Sequence, residues 1–273
     1  MKGGTSLSKR FVKCWARRLV AVGERSLQVL LPGRVRDGLR ILTYHRIADD
    51  SQDPFAVRPE GFRQQMEMLS ASGSVVSLEA AIDGIGASPG CPHRVVLTFD
   101  DGTSDFLTVG HPILHRLGLP AALFVSPLKV GTRGFLDWAD LRGLSKAGIL
   151  IGSHGLDHQS LGRLGRAEVQ HQVSRSRRMI EDRIGVQVTS LAYPFGTVRD
   201  FNPWVKEEIR RAGYRSACTS INGINGCGTD MLELRRTKIE QRDEPIFEWM
   251  LRGCLDGWSL IDRHFSFLQN RYP

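Results

Sequence analysis

The sequence lacks several features that define common protein classes. It has five cysteines, an odd number, and no two of them form a Cys-x-x-Cys pair. Cys218 and Cys227 could bridge a loop, but we expect reduced thiols, which fit a reducing compartment. No Gly-x-Gly-x-x-Gly or Walker sequence indicates a nucleotide site, and no internal repeat or low-complexity tract is present.

The charge of the chain is unevenly distributed. The net charge of +8 suggests nucleic-acid binding, but no helix-turn-helix, zinc-finger spacing or aromatic-rich RNA-binding sequence accompanies it. Residues 1–40 hold ten lysines and arginines against two acidic residues, so this segment supplies the whole excess. The positive charge therefore belongs to an N-terminal arm, and we predict no nucleic-acid partner for the body of the protein.

The chain of 273 residues is long enough to bury a sizeable core. We divide it into a basic amphipathic arm, residues 1–38, and a catalytic domain, residues 39–273. Glu24 interrupts the apolar stretch of the arm, which is too short to cross a bilayer and does not resemble a secretory signal. We therefore expect a cytoplasmic protein, with peripheral contact to the inner membrane as an alternative.

The arm is expected to be helical. Apolar residues recur at three-to-four spacing among its lysines and arginines, at Phe11, Trp15, Leu19 and Val22. Such a helix either packs on the outside of the domain or lies on an anionic membrane face. The sequence leaves both alternatives open.

From residue 39 onward, apolar runs of strand length alternate at least six times with helical segments. Predicted strands cover residues 39–43, 75–76, 95–99, 121–125, 149–151, 189–192, 214–218 and 232–239. Predicted helices cover residues 59–72, 105–116, 138–147, 166–184, 203–212 and 245–255. This order predicts an α/β fold with a parallel sheet, and polar residues after several strands favour a closed or nearly closed barrel.

Two of these polar clusters carry groups suited to metal-dependent hydrolysis. Asp100 and Asp101 follow one strand, and His154 and His158 follow another. Histidines four residues apart lie on one face of a helical turn, and two imidazoles with one carboxylate leave coordination positions open for water and substrate. The same ligand set suits iron(II) oxygenases, although those do not need a second carboxylate beside the ligand.

Taken together and in this order, these residues resemble the polysaccharide deacetylase family, the NodB homology domain of carbohydrate esterase family 4. The sequence Thr-Phe-Asp-Asp-Gly at 98–102 is similar to the first motif of that family, and Ser-His-x-x-x-His at 153–158 to the second. Tyr-Pro-Phe-Gly at 193–196 is similar to a variant of the third, and Leu-Thr-Tyr-His-Arg-Ile at 42–47 to the start of one branch. The resemblance covers about residues 39–240 and implies a deformed parallel (β/α) barrel with about seven strands.

The resemblance also implies an activity. Family members hydrolyse the N-acetyl group of an amino sugar with the help of a metal ion and release acetate. Their substrates include chitin-like oligosaccharides, peptidoglycan, exopolysaccharides and lipid-linked sugars. An O-acetyl esterase acting on a carbohydrate through the same site is the alternative enzyme, and a carbohydrate-binding pseudoenzyme is the non-enzymatic alternative.

The resemblance assigns roles residue by residue. Asp101, His154 and His158 would be the metal ligands, and Asp100 would be the general base. Imidazole and carboxylate ligands suit zinc, with cobalt or nickel as alternatives. A cytoplasmic location would favour a lipid-linked or nucleotide-linked precursor, or a small oligosaccharide, over finished cell wall.

Other roles depend on departures from the family pattern. The N–H of Phe195 would bind the oxyanion, while Tyr193 either lines the site or packs behind it. The Leu-x-x-His-like sequence that supplies the general acid in many members is absent, and we predict His45 in that role, or else as a structural histidine. Ala192 stands where many members have an arginine that orients the base. Arg236 could replace that arginine, or it could be an exposed charge at a strand end.

Overall fold

The computed structural model describes residues 4–30, 38–50, 52–85 and 93–264, with side chains of the first helix from residue 12. The strands are β1 Leu39–Tyr44, β2 Arg46–Ile47, β3 Ala56–Val57, β4 Arg94–Phe99, β5 Ala122–Val125, β6 Leu150–Ser153, β7 Ser190–Ala192, β8 Ser216–Cys218 and β9 Arg236–Lys238. The helices are α1 Gly4–Leu30, α2 Pro59–Ser72, α3 Leu78–Gly84, α4 His111–Arg116, α5 Trp138–Lys146, α6 Arg166–Ile184, α7 Pro203–Arg211, α8 Phe247–Leu251 and α9 Trp258–His264. A π-helical turn, Phe106–Gly110, precedes α4.

Seven of the strands form one parallel sheet in the order β8-β7-β6-β5-β4-β1-β9. The two edges of this sheet approach each other, because Cys218 of β8 forms a parallel bridge with Leu234, just before β9. Backbone hydrogen bonds from Thr219 N and Leu234 N support this closure. The sheet is therefore a nearly closed, deformed barrel, which confirms the predicted fold class.

Helices cover the outside of the barrel, and three of them, α3, α5 and α7, begin at a side-chain cap. Asp137 and Asp140 form a reciprocal capping box at the start of α5, and Asn202 caps α7 before Pro203. β1 is buried along its whole length, and β4 at every residue except Arg94. Strands with two covered faces are the expected centre of a parallel sheet.

Three predicted elements differ from the observed ones. The strand predicted at 75–76 is reduced to a single bridge between Val75 and Val95. The last strand is shorter, Arg236–Lys238, and residues 245–255 do not form one continuous helix but contribute to α8, with α9 following it. Gly253 adopts a positive φ of 87° between the two helices, which explains the interruption.

The arm forms a continuous helix that packs against the body through a polar face. Arg17 and Ala21 are buried, and Arg17 donates to both carboxylate oxygens of Asp243 and to the Lys238 carbonyl. Lys13 forms an ion pair with Glu240. The packing alternative is therefore observed, but the apolar face of the arm does not supply these contacts. The Phe11 side chain and residues 31–37 lie outside the described part.

Across the described ranges, no helix combines the length and apolar composition that a bilayer crossing requires. The described cysteines, Cys14, Cys218, Cys227 and Cys254, are all free thiols. Cys218 is buried in β8 whereas Cys227 is exposed, so the loop disulfide considered above is absent. Cys91 lies outside the described residues.

Candidate metal centre and active site

One pocket at the carboxyl ends of the barrel strands collects the polar residues that follow them. Parallel strands in a barrel end on the same rim, so side chains just beyond β1, β4, β6, β7, β8 and β9 converge there. The residues that line the pocket are His45, Phe55, Asp100, Asp101, His154, His158, Phe195, Ser220 and Lys238.

Asp101, His154 and His158 form a compact triad. One ligand atom from each lies within 4.8 Å of the other two. The Asp101 Oδ1 atom is 3.3 Å from His158 Nε2 and 3.7 Å from His154 Nε2. All three side chains are nearly excluded from solvent, so a cation among them would have its charge poorly screened.

Both imidazoles are prepared to act as ligands. His154 Nδ1 lies 2.8 Å from the Ala192 carbonyl oxygen. Since a carbonyl only accepts, Nδ1 carries the proton, and Nε2 is left with a free lone pair on the side of the ring that faces Asp101. Burial lowers the pKa of His154, and it lowers the pKa of His158 to about 4. Both rings are therefore neutral at pH 7, the protonation state that binds metal.

The environment of Asp101 indicates that a cation is needed. Its Oδ1 atom is buried and accepts no hydrogen bond within the described part of the chain. Burial raises the pKa of this carboxyl group, and nearby Asp100 raises it further. An orphaned buried oxygen facing two neutral imidazole nitrogens fits a divalent cation well, because the cation would satisfy all three atoms.

The backbone around this pocket is strained. Among the described residues, the non-glycine residues with positive φ are Asp101 (72°), His158 (68°) and Phe195 (62°), and all three line the pocket. Each such conformation costs roughly 1–3 kcal/mol and persists only where the surrounding structure enforces it. The surrounding structure thus holds Asp101, His158 and Phe195 in costly backbone conformations that direct all three into the same pocket.

Asp100 forms a buried ion pair across the barrel with Arg236 of β9. Arg236 Nη1 and Nη2 donate to its two carboxylate oxygens at 2.8 and 2.7 Å, and Arg236 Nε donates to the Thr219 carbonyl. Burial alone would raise the pKa of Asp100, but the guanidinium and neighbouring imidazoles reverse the effect and hold it well below its usual range. Arg236 is fully buried, so the exposed alternative is wrong.

His45 stands at the end of β1 beside this pair. Its Nε2 atom is 4.0 Å from Asp100 Oδ2, and its ring stacks on Phe55 with centroids 5.0 Å apart. Burial lowers the pKa of His45 to about 3; Asp100 opposes this effect, while Lys238 and Arg236 add to it. The structure therefore places His45 in the pocket, as a neutral imidazole in the resting site.

Comparison with known families now bears on the whole arrangement. Residues 87–217 match the family model of the polysaccharide deacetylases. This match contains the triad and Asp100 in the order described above. Residues 87–217 are therefore a polysaccharide deacetylase domain.

Two relatives support the assignment of this domain. YxkH of Bacillus subtilis, provisionally named a polysaccharide deacetylase, is 26% identical over 203 residues, which cover 74% of this chain and 71% of YxkH. The peptidoglycan-N-acetylglucosamine deacetylase PgdA of Listeria monocytogenes is 33% identical over 117 residues, 42% of this chain but 24% of PgdA.

Solved structures share the fold of the deacetylase. Streptococcus pyogenes deacetylase PplD, solved with acetate, superposes with a TM-score of 0.70 at 22% identity, covering 77% of this chain and 96% of PplD. IcaB from Ammonifex degensii gives a TM-score of 0.68 at 22% identity, covering 79% and 98% of the two chains. At this level of identity, the similarity concerns the barrel itself.

Two aromatic residues of the variant third motif lie in different places, Phe195 in the pocket and Tyr193 in the core. Phe195 lines the pocket, and its ring lies 4.8 Å from that of His158. Tyr193 is fully buried, donates to the Leu232 carbonyl and stacks on Phe201, outside the residues that line the pocket. Of the two alternatives for Tyr193, the structure therefore favours packing over a place in the site.

Sequence reasoning missed three pocket residues of the deacetylase: Phe55, Ser220 and Lys238. The Lys238 ammonium lies 5.2 Å from the Phe55 ring centroid, and burial together with Lys13 lowers its pKa to about 8. Lys238 ends β9, two residues after Arg236, so its position at a strand end was a usable signal. Phe55 and Ser220 lie in loops and carried no comparable signal.

Proposed function

We propose that the protein is a metal-dependent carbohydrate deacetylase that removes N-acetyl groups from an amino-sugar oligosaccharide, polysaccharide or lipid-linked precursor and releases acetate. The observation that carries the proposal is the meeting of two adjacent carboxylates with different environments. Asp100 is ionised and held by Arg236, whereas Asp101 faces two neutral imidazoles with an unsatisfied oxygen. That pairing separates a proton acceptor from a cation ligand.

Asp101, His154 and His158 would hold the cation, and zinc is the proposed ion, with cobalt or nickel as alternatives. Such a cation supplies a Lewis acid, which polarises the acetyl carbonyl and acidifies the attacking water. The remaining steps belong to side chains and backbone of this chain. The backbone N–H of Phe195 is proposed to stabilise the oxyanion as charge develops on the carbonyl oxygen.

Asp100 is proposed to accept the proton of the attacking water. Its carboxylate is ionised at neutral pH, and Arg236 fixes its orientation through two parallel hydrogen bonds. Such a bidentate pair restricts the rotation of the carboxylate more than a single contact would. Arg236 is thereby proposed to orient the base, a role that the Ala192 side chain cannot fill.

His45 is proposed to deliver a proton to the departing amine. Since the resting imidazole is neutral, it must first gain a proton, and Asp100, 4.0 Å away, can pass on the proton that it has taken from the attacking water. The C–N bond of an amide breaks to release an amine only when the nitrogen is protonated, whereas the alcohol of an ester departs with less need of a general acid. The position of His45 therefore favours N-acetyl over O-acetyl substrates.

The experiment measures acetate released from an N-acetylglucosamine oligosaccharide and, in parallel, from acetylated xylan. The full-length protein is stripped with a chelator and resupplied with zinc, cobalt or nickel. We expect activity on the N-acetyl substrate to disappear on stripping and return with metal. Activity confined to acetylated xylan would support the esterase alternative, and binding of saccharide without any hydrolysis would support a pseudoenzyme.

A further inference from the structure

We infer that the outward face of α1 is a docking surface for an anionic lipid membrane. One side of α1 packs on the body, where Arg17 and Ala21 are buried and Lys13 meets Glu240. The opposite side is largely apolar. We call it the outer stripe, and its exposed members are Val12, Trp15, Leu19, Val22, Val29 and Leu30.

Val12, Trp15, Leu19 and Val22 of the outer stripe follow one another at three- or four-residue spacing, and Val29 and Leu30 continue the same face beyond Ser26. At 100° per residue its members fall within a sector of about 100° centred opposite Arg17. Between half and three quarters of each side chain is exposed, from 48% for Val22 to 74% for Val29 and Leu30. Leu27, 42% exposed, lies beside one edge of the stripe. An exposed apolar face of this kind is typical of a site that another apolar phase covers.

The charged residues beside the outer stripe indicate which kind of partner it would bind. Arg18 and Arg25 lie along one edge of the stripe, at the boundary between its outer and body-facing sides. Arg25 extends over the Trp249 ring, and Arg18 donates to the Arg242 carbonyl, so within the described ranges neither arginine is paired with a carboxylate. Glu24, the carboxylate of α1, lies on the body side, close to Gly257.

An apolar stripe with a cationic edge and no outward carboxylate matches an anionic bilayer surface, where Trp and Leu enter the headgroup boundary and arginines meet phosphates. A second copy of the chain would bring like charges together, because a two-fold axis places the same arginines on both partners. We therefore propose the membrane as the occupant of the outer stripe.

The attachment of α1 would make such docking relevant to the pocket. Arg17 binds the carbonyl of Lys238, and Lys238 itself lines the pocket. A membrane bound by α1 would thereby be connected to one wall of the site through the hydrogen bond from Arg17 to the Lys238 carbonyl. On the proposed function, this arrangement would favour substrates anchored in the same bilayer, but the docking itself does not depend on the reaction.

The test is flotation of the full-length protein with vesicles of phosphatidylcholine alone or of an equal mixture with phosphatidylglycerol. We expect co-flotation with the mixed vesicles and loss of binding at high salt, because the cationic contribution is screened. The double variant Leu19→Glu/Val22→Glu should lower vesicle binding by about tenfold or more, since it places two carboxylates in the apolar interface. The matched control is Met68→Glu/Val186→Glu, which changes two exposed apolar residues elsewhere.

Acetate release from a soluble oligosaccharide is measured on every variant to show that the barrel and pocket are intact. Vesicle binding is read separately, so absence of deacetylase activity would leave the docking result interpretable. Failure of the wild type to float with mixed vesicles would overturn the proposal. So would equal flotation of the stripe variant, or light scattering that shows a dimer lost in the stripe variant without lipid.

Discussion

At the scale of single residues, the site depends on two neighbouring carboxylates that experience opposite surroundings. Asp100 receives two hydrogen bonds from a buried guanidinium, which keeps its pKa low. Asp101, one position further, is turned by a positive φ toward two neutral imidazoles, and burial raises its pKa. One peptide bond thus separates the proposed proton acceptor from the proposed cation ligand.

The first prediction concerns Asp100→Asn. The amide cannot accept the proton from water, so kcat should fall by roughly a hundredfold to ten-thousandfold, the range of a general base. Metal content after equilibration should stay near that of the wild type, because the three ligands are unchanged. A variant that keeps more than a tenth of the activity would show that another group accepts the proton.

The second prediction concerns Arg236→Met. Removing the guanidinium leaves the Asp100 carboxylate buried without its partner, which should lower the free energy of unfolding by about 3–5 kcal/mol. Urea unfolding measures this loss. Arg235→Met, one residue away and half-buried, should have a much smaller effect. In the Asp100→Asn background the same Arg236 substitution should cost less, because no ionised carboxylate remains.

Residue patterns predicted the proposed metal ligands and base more readily than the residues that pack around them. Asp100, Asp101, His154 and His158 could be chosen from sequence because each follows an apolar strand and because their chemical types fit a metal hydrolase. Tyr193 could not be placed, since whether a tyrosine in a turn points toward the rim or the core depends on neighbours such as Phe201.

At the scale of elements, the first helix shows how a correct secondary-structure prediction can leave the packing undecided. Its three-to-four apolar spacing predicted an amphipathic helix, and an apolar face would ordinarily pack inward. The structure turns that face outward because Asp243 and Glu240 offer buried partners to Arg17 and Lys13. Those acids lie more than 220 positions away in the chain, beyond the reach of local pattern.

The third prediction concerns the acid sensitivity of this helix contact. Lys13, Arg17 and Lys238 outweigh the effect of burial and lower the pKa of Glu240 from 4.5 to about 2. The folded carboxyl group thus holds its proton less tightly than the unfolded one. Its contribution to stability is fully present above about pH 4.5 and is lost as the pH falls toward 2.

Glu240→Gln should therefore destabilise the protein by about 3 kcal/mol at pH 7, and this difference from the wild type should shrink steadily below pH 4.5. Urea unfolding at several pH values measures it. Glu79→Gln, at an exposed position of α3, is the control and should show little difference at either pH. A wild-type advantage that persists unchanged near pH 2.5 would contradict the linkage.

At the scale of the whole molecule, the alternation of strands and helices was enough to predict a parallel barrel, but not the order of its strands. β1 lies between β4 and β9. That position depends on pairing between strands at the two ends of the domain, which no local period encodes. The ion pair between Asp100 and Arg236 follows from the same pairing, because it requires β9 to close the barrel beside β1.

The fourth prediction concerns metal binding and global stability. A ligand that binds only the folded state at a thousand times its dissociation constant adds about 4 kcal/mol of stability. Zinc in such excess should raise the melting temperature of the chelator-stripped wild type. The rise should vanish in His154→Ala and persist in His115→Ala, which removes an exposed histidine of α4. An equal rise in both variants would place the bound zinc elsewhere.

The contact between α1 and the segment after β9 has a consequence for synthesis. Lys13 and Glu240 are 227 positions apart, so the helix leaves the ribosome long before its anchoring carboxylates exist. Until then Arg17 lacks its partner Asp243, and Asp100 likewise lacks its partner Arg236. Because a domain generally folds as a unit, the nascent chain can close the barrel and complete its site only when nearly all of the domain has been translated.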